Sequence, residues 1–156
     1  MNYKGYQQGQ NRGQGNQSFH KGQSSGHTQK ANLNIELKNF FTDDGLIDLD
    51  WINTKAKEFA EFLGRERDFS TTQLRNFYHE YLRIQSMPAK KEEKIIQIKM
   101  LKAKVSYKSE KNKVPEVFVD FTINLIDEIK TNELFDKYFN NACILMEALV
   151  AYNPKK

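Results

Sequence analysis

From Ile47 to Tyr152 apolar side chains recur at intervals of three and four residues. That period belongs to helices, because side chains three and four apart share a helix face whereas strands alternate every second residue. The folded part is therefore read as all-α, helical throughout from near Leu33, in a single bundle of about five helices. Asp48 is placed to cap the first helix, with Ile47 packing on Ile52 as a hydrophobic staple. Ile52, Ala56, Phe59 and Leu63 mark its inner face, and Gly64 reads as its stop. Ser70 followed by Gln73 forms a capping box for the second helix, flanked by Phe69 and Leu74. Leu74, Phe77, Tyr81 and Ile84 form its buried stripe, which ends near Met87 and Pro88.

The third helix is expected over about 89–107. Ile95, Ile98 and Val105 lie on one arc and Ile96, Met100, Ala103 and Tyr107 on another, with Tyr107 read most simply as core. Lys90, Lys94, Lys104 and Lys108 fall between the arcs within roughly 80° of the helix wheel, and Leu101 interrupts that lysine stripe. Pro115 opens a fourth helix whose Phe118, Phe121, Leu125 and Ile129 face inward. The fifth, over about 132–152, buries Phe135, Tyr138, Phe139, Ala142, Leu145, Met146 and Leu149.

Residues 1–32 read differently and are expected to form a disordered tail, with 33–156 as the helical domain. Six of the eight glycines and seven glutamines lie in the first 30 positions, a composition that cannot bury enough apolar area to offset its ordering entropy. His20 and His27 have no partners at metal-site spacing, and Tyr3, Tyr6 and Arg12 serve a solubilising tail or brush RNA. Residues 33–88 hold 7 basic and 10 acidic side chains, 89–113 hold 9 and 3, and 114–156 hold 4 and 7. The folded part is thus neutral yet polarised, with one cationic segment between two acidic ones. Such a field suits a polyanion, and a solvated lysine face is the plainer alternative.

The pattern offers little to an enzyme. His79, flanked by Tyr78 and Glu80, has no orienting partner in the sequence, and Gly45 and Gly64 are isolated glycines that build no phosphate loop. Asp43, Asp44, Asp48 and Asp50 are read as capping and dipole residues. Cys143, the single cysteine, reads as a small buried hydrophobe and leaves no intrachain disulfide or cysteine-ligated zinc site. No metal, cofactor or catalytic residue is therefore assigned. No apolar run approaches 18 residues, so no membrane association is expected, and a cytoplasmic protein is. The cations point instead to a nucleic-acid backbone. Lys90 to Lys108 covers about 27 Å of helix, the length of several consecutive phosphates. Arg75, His79 and Arg83 run parallel at i, i+4 and i+8, and Lys111 and Lys113 extend the charge into the following loop. Lysines meet phosphate as mobile charges without reading sequence.

Three blocks carry a family likeness: 69–78 (FSTTQLRNFY), 101–107 (LKAKVSY) and 139–152, including Glu147, Ala148, Leu149, Val150, Ala151 and Tyr152. In this order and spacing, over about 45–152, the chain resembles the small subunit of type III-A CRISPR effector complexes, the Csm small-subunit family. The resemblance implies a non-catalytic helical subunit present in several copies, stacked head to tail as an inner filament. Its partners would be guide RNA, target RNA, the backbone subunits that cut target RNA, and the large subunit that carries DNA nuclease and cyclic-oligoadenylate synthesis. Arg75 and Lys104 occupy the basic positions of the family blocks. Family members often carry proline where this chain has Ala103, so a straighter third helix is expected. The candidate RNA contacts are Arg75, Arg83, Lys104, Lys108, Lys90, Lys94 and Lys111. Two rivals stand beside this reading: a structural spacer whose lysines meet acidic faces of neighbouring copies, and a stand-alone RNA-binding protein acting through its tail.

Overall fold

The structure is a computed structural model that describes residues 32–111 and 113–154. Residues 1–31 of the expected disordered tail, with Tyr3, Tyr6, Arg12, His20 and His27, lie outside the described residues. The rest is the expected all-α bundle of five helices: α1 (Ala56–Arg65), α2 (Thr71–Ser86), α3 (Lys91–Glu110), α4 (Glu116–Glu128) and α5 (Phe135–Tyr152). A π-helical turn, Trp51–Lys55, leads directly into α1. α5 packs on both α1 and α2, and α3 packs on α2 and α4.

Local chemistry explains most of these boundaries. The Asp50 amide donates to Asp48 Oδ1 at 2.9 Å, so Asp48 caps the first helical segment as its position requires. At α2 both halves of the capping box form: the Gln73 amide donates to Ser70 Oγ at 3.1 Å, and the Ser70 amide to Gln73 Oε1 at 2.7 Å. Pro115 sits one position before α4, and its carbonyl accepts from the Phe118 and Val119 amides. Asn132 Oδ1 accepts from the Leu134 amide in the turn before α5.

The core is aromatic. Phe40, Trp51, Phe59 and Phe121 cluster with ring centroids 4.6–6.1 Å apart. Phe69 and Phe77 flank Phe118, and Tyr81 stacks on Phe139. All the expected inward residues of α2, α4 and α5 are buried. Cys143 is buried too, and burial pushes its thiol up to about 12. Tyr81 is fully enclosed, and its hydroxyl has no hydrogen-bond partner among the described residues. Burial raises its pKa further above the usual tyrosine value.

Four expectations are corrected. Residues 33–47 are not helical: they form an extended strap and a turn, with an isolated antiparallel bridge between Phe41 and Ile47. Asn39 and Gly45 take positive φ, 57° and 86°, a region that interrupts a right-handed helix. Side chains of the bundle satisfy the strap's backbone instead. The Glu128 carboxylate accepts the Asn39 and Phe40 amides at 2.6 and 2.8 Å, and Asn141 Oδ1 accepts the Ile47 amide at 2.8 Å. Asn124 donates to the Leu37 carbonyl and the Trp51 indole N–H to the Lys38 carbonyl.

Gly64 does not stop α1, which runs on through Arg65. A Cβ at Gly64 would lie 2.9 Å from Pro154 Cδ, so the glycine admits the segment after α5. Leu101 does not interrupt an outward stripe: it is buried with Ile98 and Val105 and belongs to the core arc of α3. Tyr107 is not core: it is 61% exposed, together with Ile96 and Met100.

Candidate nucleic-acid interface

α2 and α3 run antiparallel, and cations from both line the seam between them. The register follows from contacts at successive levels. Lys94 Nζ donates to the Gln85 carbonyl at 2.9 Å, Arg83 Nη2 to Gln97 Oε1 at 3.3 Å, and Lys104 Nζ to Glu80 Oε2 at 3.3 Å. Lys108 Nζ lies 4.8 Å from the centre of the Phe77 ring. Three lysines of the expected line, Lys94, Lys104 and Lys108, therefore run along the edge of the α2–α3 contact, where Leu101 forms the adjoining core.

Glu80 is the electrostatic centre of the seam. The same carboxylate oxygen receives Arg83 at 3.2 Å and Lys104 at 3.3 Å, with Arg83 and Lys104 still 45% and 47% exposed. Partial burial pushes the Glu80 carboxyl up, but the hydrogen bonds and charges of Lys104 and Arg83 outweigh it and hold its pKa below the usual glutamate value. In the sequence Glu80 stands out only as a neighbour of His79. Its place at i−3 from Arg83 was the available signal.

On α2 each step of four residues turns about 40° round the helix. Arg75 and His79 consequently face solvent, whereas Arg83 comes round to meet α3. Among the described residues the side chains of Arg75 and Lys90 make no ion pair, hydrogen bond or ring contact. Lys111 lies beyond the seam, with its ammonium 5.6 Å from the Tyr107 ring centre. The seven candidates thus divide three ways. Arg83, Lys94, Lys104 and Lys108 converge on one seam, Lys90 and Arg75 are unengaged, and Lys111 sits over an exposed aromatic. Lysine and arginine heads in such an array can contact phosphate oxygens but carry no means of reading bases.

Other features contribute less. A cleft of about 310 Å³ is lined by Glu66, Asp68, Phe69, Ser109, Val114, Pro115 and Glu116, a set unsuited to an anion. Among the described residues no group of His, Cys, Asp and Glu is arranged to hold a metal ion, and His79 is exposed. No described helix is long and apolar enough to cross a membrane.

Fold and face together define a class, a small all-helical protein with cations drawn along one helix seam. The chain belongs to the Csm2 Type III-A family, whose model matches residues 47–154, and it is accordingly a small subunit of a type III-A CRISPR complex. The match takes in every helix and all three sequence blocks that carried the likeness. No curated protein and no solved structure matches the chain.

Proposed function

We propose that the chain is a non-catalytic RNA-holding subunit that works in the cytoplasm in several stacked copies beside the backbone and large subunits. Residues 33–156 form its working domain, and 1–32 a tail that RNA binding does not need. Arg75, Arg83, Lys90, Lys94, Lys104, Lys108 and Lys111 contact the ribose–phosphate backbone of guide or target RNA. Base pairing between the two RNAs supplies the sequence, the division of labour seen in other RNA-guided effectors. The observation that supports this reading most is the convergence of Arg83, Lys94, Lys104 and Lys108 on the α2–α3 seam, with Arg83 and Lys104 nearly half exposed.

Filter binding of the assembled complex across a salt series tests it. Each phosphate contact removed should lower the salt slope by about 0.7–0.9. Arg75→Ala and Lys104→Ala should therefore weaken binding modestly and equally for all sequences. Unchanged affinity and slope in both variants remove these residues from the site.

The spacer reading has one observation in its favour: Glu80 already neutralises part of the Arg83 and Lys104 charge within the chain. In that reading the lysines dock on acidic faces of adjacent copies.

A further inference from the structure

α3 is apolar on two sides. Its inner arc, Ile98, Leu101 and Val105, is buried against the bundle. Its outer arc carries Ile96, Met100, Ala103 and Tyr107, with Ile96, Met100 and Tyr107 exposed by 60, 48 and 61%. At 100° per residue these four fall within about 60°, a straight ridge about 16 Å long opposite the core. A helix apolar on both sides is normally covered on both. Lys99 and Lys104 flank the ridge, Lys111 closes it beside Tyr107, and residues 96–111 hold five lysines against Glu110.

A second exposed apolar patch has the opposite charge. Leu46 and Leu49, exposed by 46% and 79%, stand where the strap turns into the first helical segment. Asp43, Asp48 and Asp50 surround them in sequence, while Asp44 is already paired with Lys137 at 3.7 Å. The two patches belong to different parts of the bundle, because α3 packs on α2 and α4 whereas the π-helical turn and α1 pack on α5.

We propose that the α3 ridge of one copy docks on the Leu46–Leu49 patch of the next. This names the surfaces for the stacking proposed above and rests on that reading. The contact joins two unlike patches, so it propagates head to tail instead of closing on itself. Charge selects this pairing over ridge against ridge. The ridge is bordered by lysines, whereas Asp43, Asp48 and Asp50 adjoin the Leu46–Leu49 patch, so the two patches match in charge as two ridges do not. Four side chains make a small contact beside the roughly 800 Å² per partner of a stable complex, so isolated chains associate weakly and neighbouring subunits reinforce the array.

Site-directed crosslinking of full-length chains in the assembled complex tests the pairing. Complexes are built from a mixture of Leu49→Cys and Met100→Cys chains and treated with a bismaleimide. Both positions are exposed, so the fold tolerates them, and buried Cys143 does not compete. A crosslinked dimer is expected only from the mixture. For the free chain, Met100→Glu should weaken self-association about tenfold in sedimentation. Lys99→Glu with Lys111→Glu should weaken it as well, and adding Asp43→Lys with Asp50→Lys should restore it. Crosslinks from Met100→Cys alone, or from it to a different subunit, overturn the pairing while a copy count above one keeps the stacking. A single copy per complex, counted by native mass spectrometry, overturns both.

Discussion

Glu80→Gln isolates the charge balance of the α2–α3 seam without changing side-chain shape. Glu80 holds Arg83 at 3.2 Å and Lys104 at 3.3 Å, and a phosphate reaching either cation must compete with it. Partly exposed ion pairs of this kind contribute about 0.2–1 kcal/mol each. Releasing both cations therefore makes roughly 0.4–2 kcal/mol available, and RNA already recovers part of that by competition. Affinity of the assembled complex for target RNA should rise about two- to tenfold at low salt. The salt slope should steepen, because the freed cations neutralise more phosphate charge. The stability of the free chain should fall by no more than the same amount, about 2 kcal/mol at most. A pH signature accompanies the change. The Glu80 pKa is held down in the folded chain, so its stabilising contribution is complete above the ordinary glutamate value and is lost as pH falls through the folded one. Glu80→Gln should accordingly lower stability at neutral pH, where the Glu80 contribution is complete, and flatten the acid limb below about pH 4.3, where the two proteins converge. Filter binding and pH-dependent thermal melts read both effects. Unchanged or weakened RNA binding with an unchanged slope would refute the idea that Arg83 and Lys104 face phosphate.

Four further outcomes are expected. Glu128→Ala should cost about 1–3 kcal/mol in urea unfolding, since the Asn39 and Phe40 amides lose the carboxylate that accepts them. Gly45→Ala should destabilise by a similar roughly 1–3 kcal/mol: φ is 86°, and a Cβ would stand 2.8 Å from the Tyr138 ring. Tyr81→Phe should leave stability unchanged or raise it by about 1 kcal/mol, because its buried hydroxyl has no partner to lose. Cys143 should resist alkylation at neutral pH until the chain unfolds, with its thiol buried and pushed up to about 12.

The helices were legible because their signals are local. The Ser70–Gln73 capping box and the stripes of α2, α4 and α5 depend on residues one to four apart, and they hold in three dimensions as they read in one. The strap was misread because its structure depends on residues about 90 positions away, Glu128 and Asn141, which supply acceptors for its amides. Gly64 failed as a stop signal for the same reason: its purpose is the approach of Pro154. On α3 the two arcs were both visible, but period alone does not say which of two apolar faces meets the bundle. In the sequence Leu101 looks like a flaw in the lysine stripe, yet it marks the core side, and Tyr107 marks the side that remains open. For the candidate site, the cations and their order along two helices were readable. Glu80, which links two of them, emerged only when α2 and α3 were laid side by side.

The central claim, that cations of α2 and α3 hold RNA by its backbone, is met most directly by photocrosslinking the assembled complex to target RNA and sequencing the crosslinked peptides. Crosslinks should fall on peptides carrying Arg75, Arg83 and residues 90–111, and should persist when residues 1–32 are deleted. Crosslinks confined to residues 1–32, or the same α2 and α3 peptides joined only to neighbouring protein chains, would contradict it.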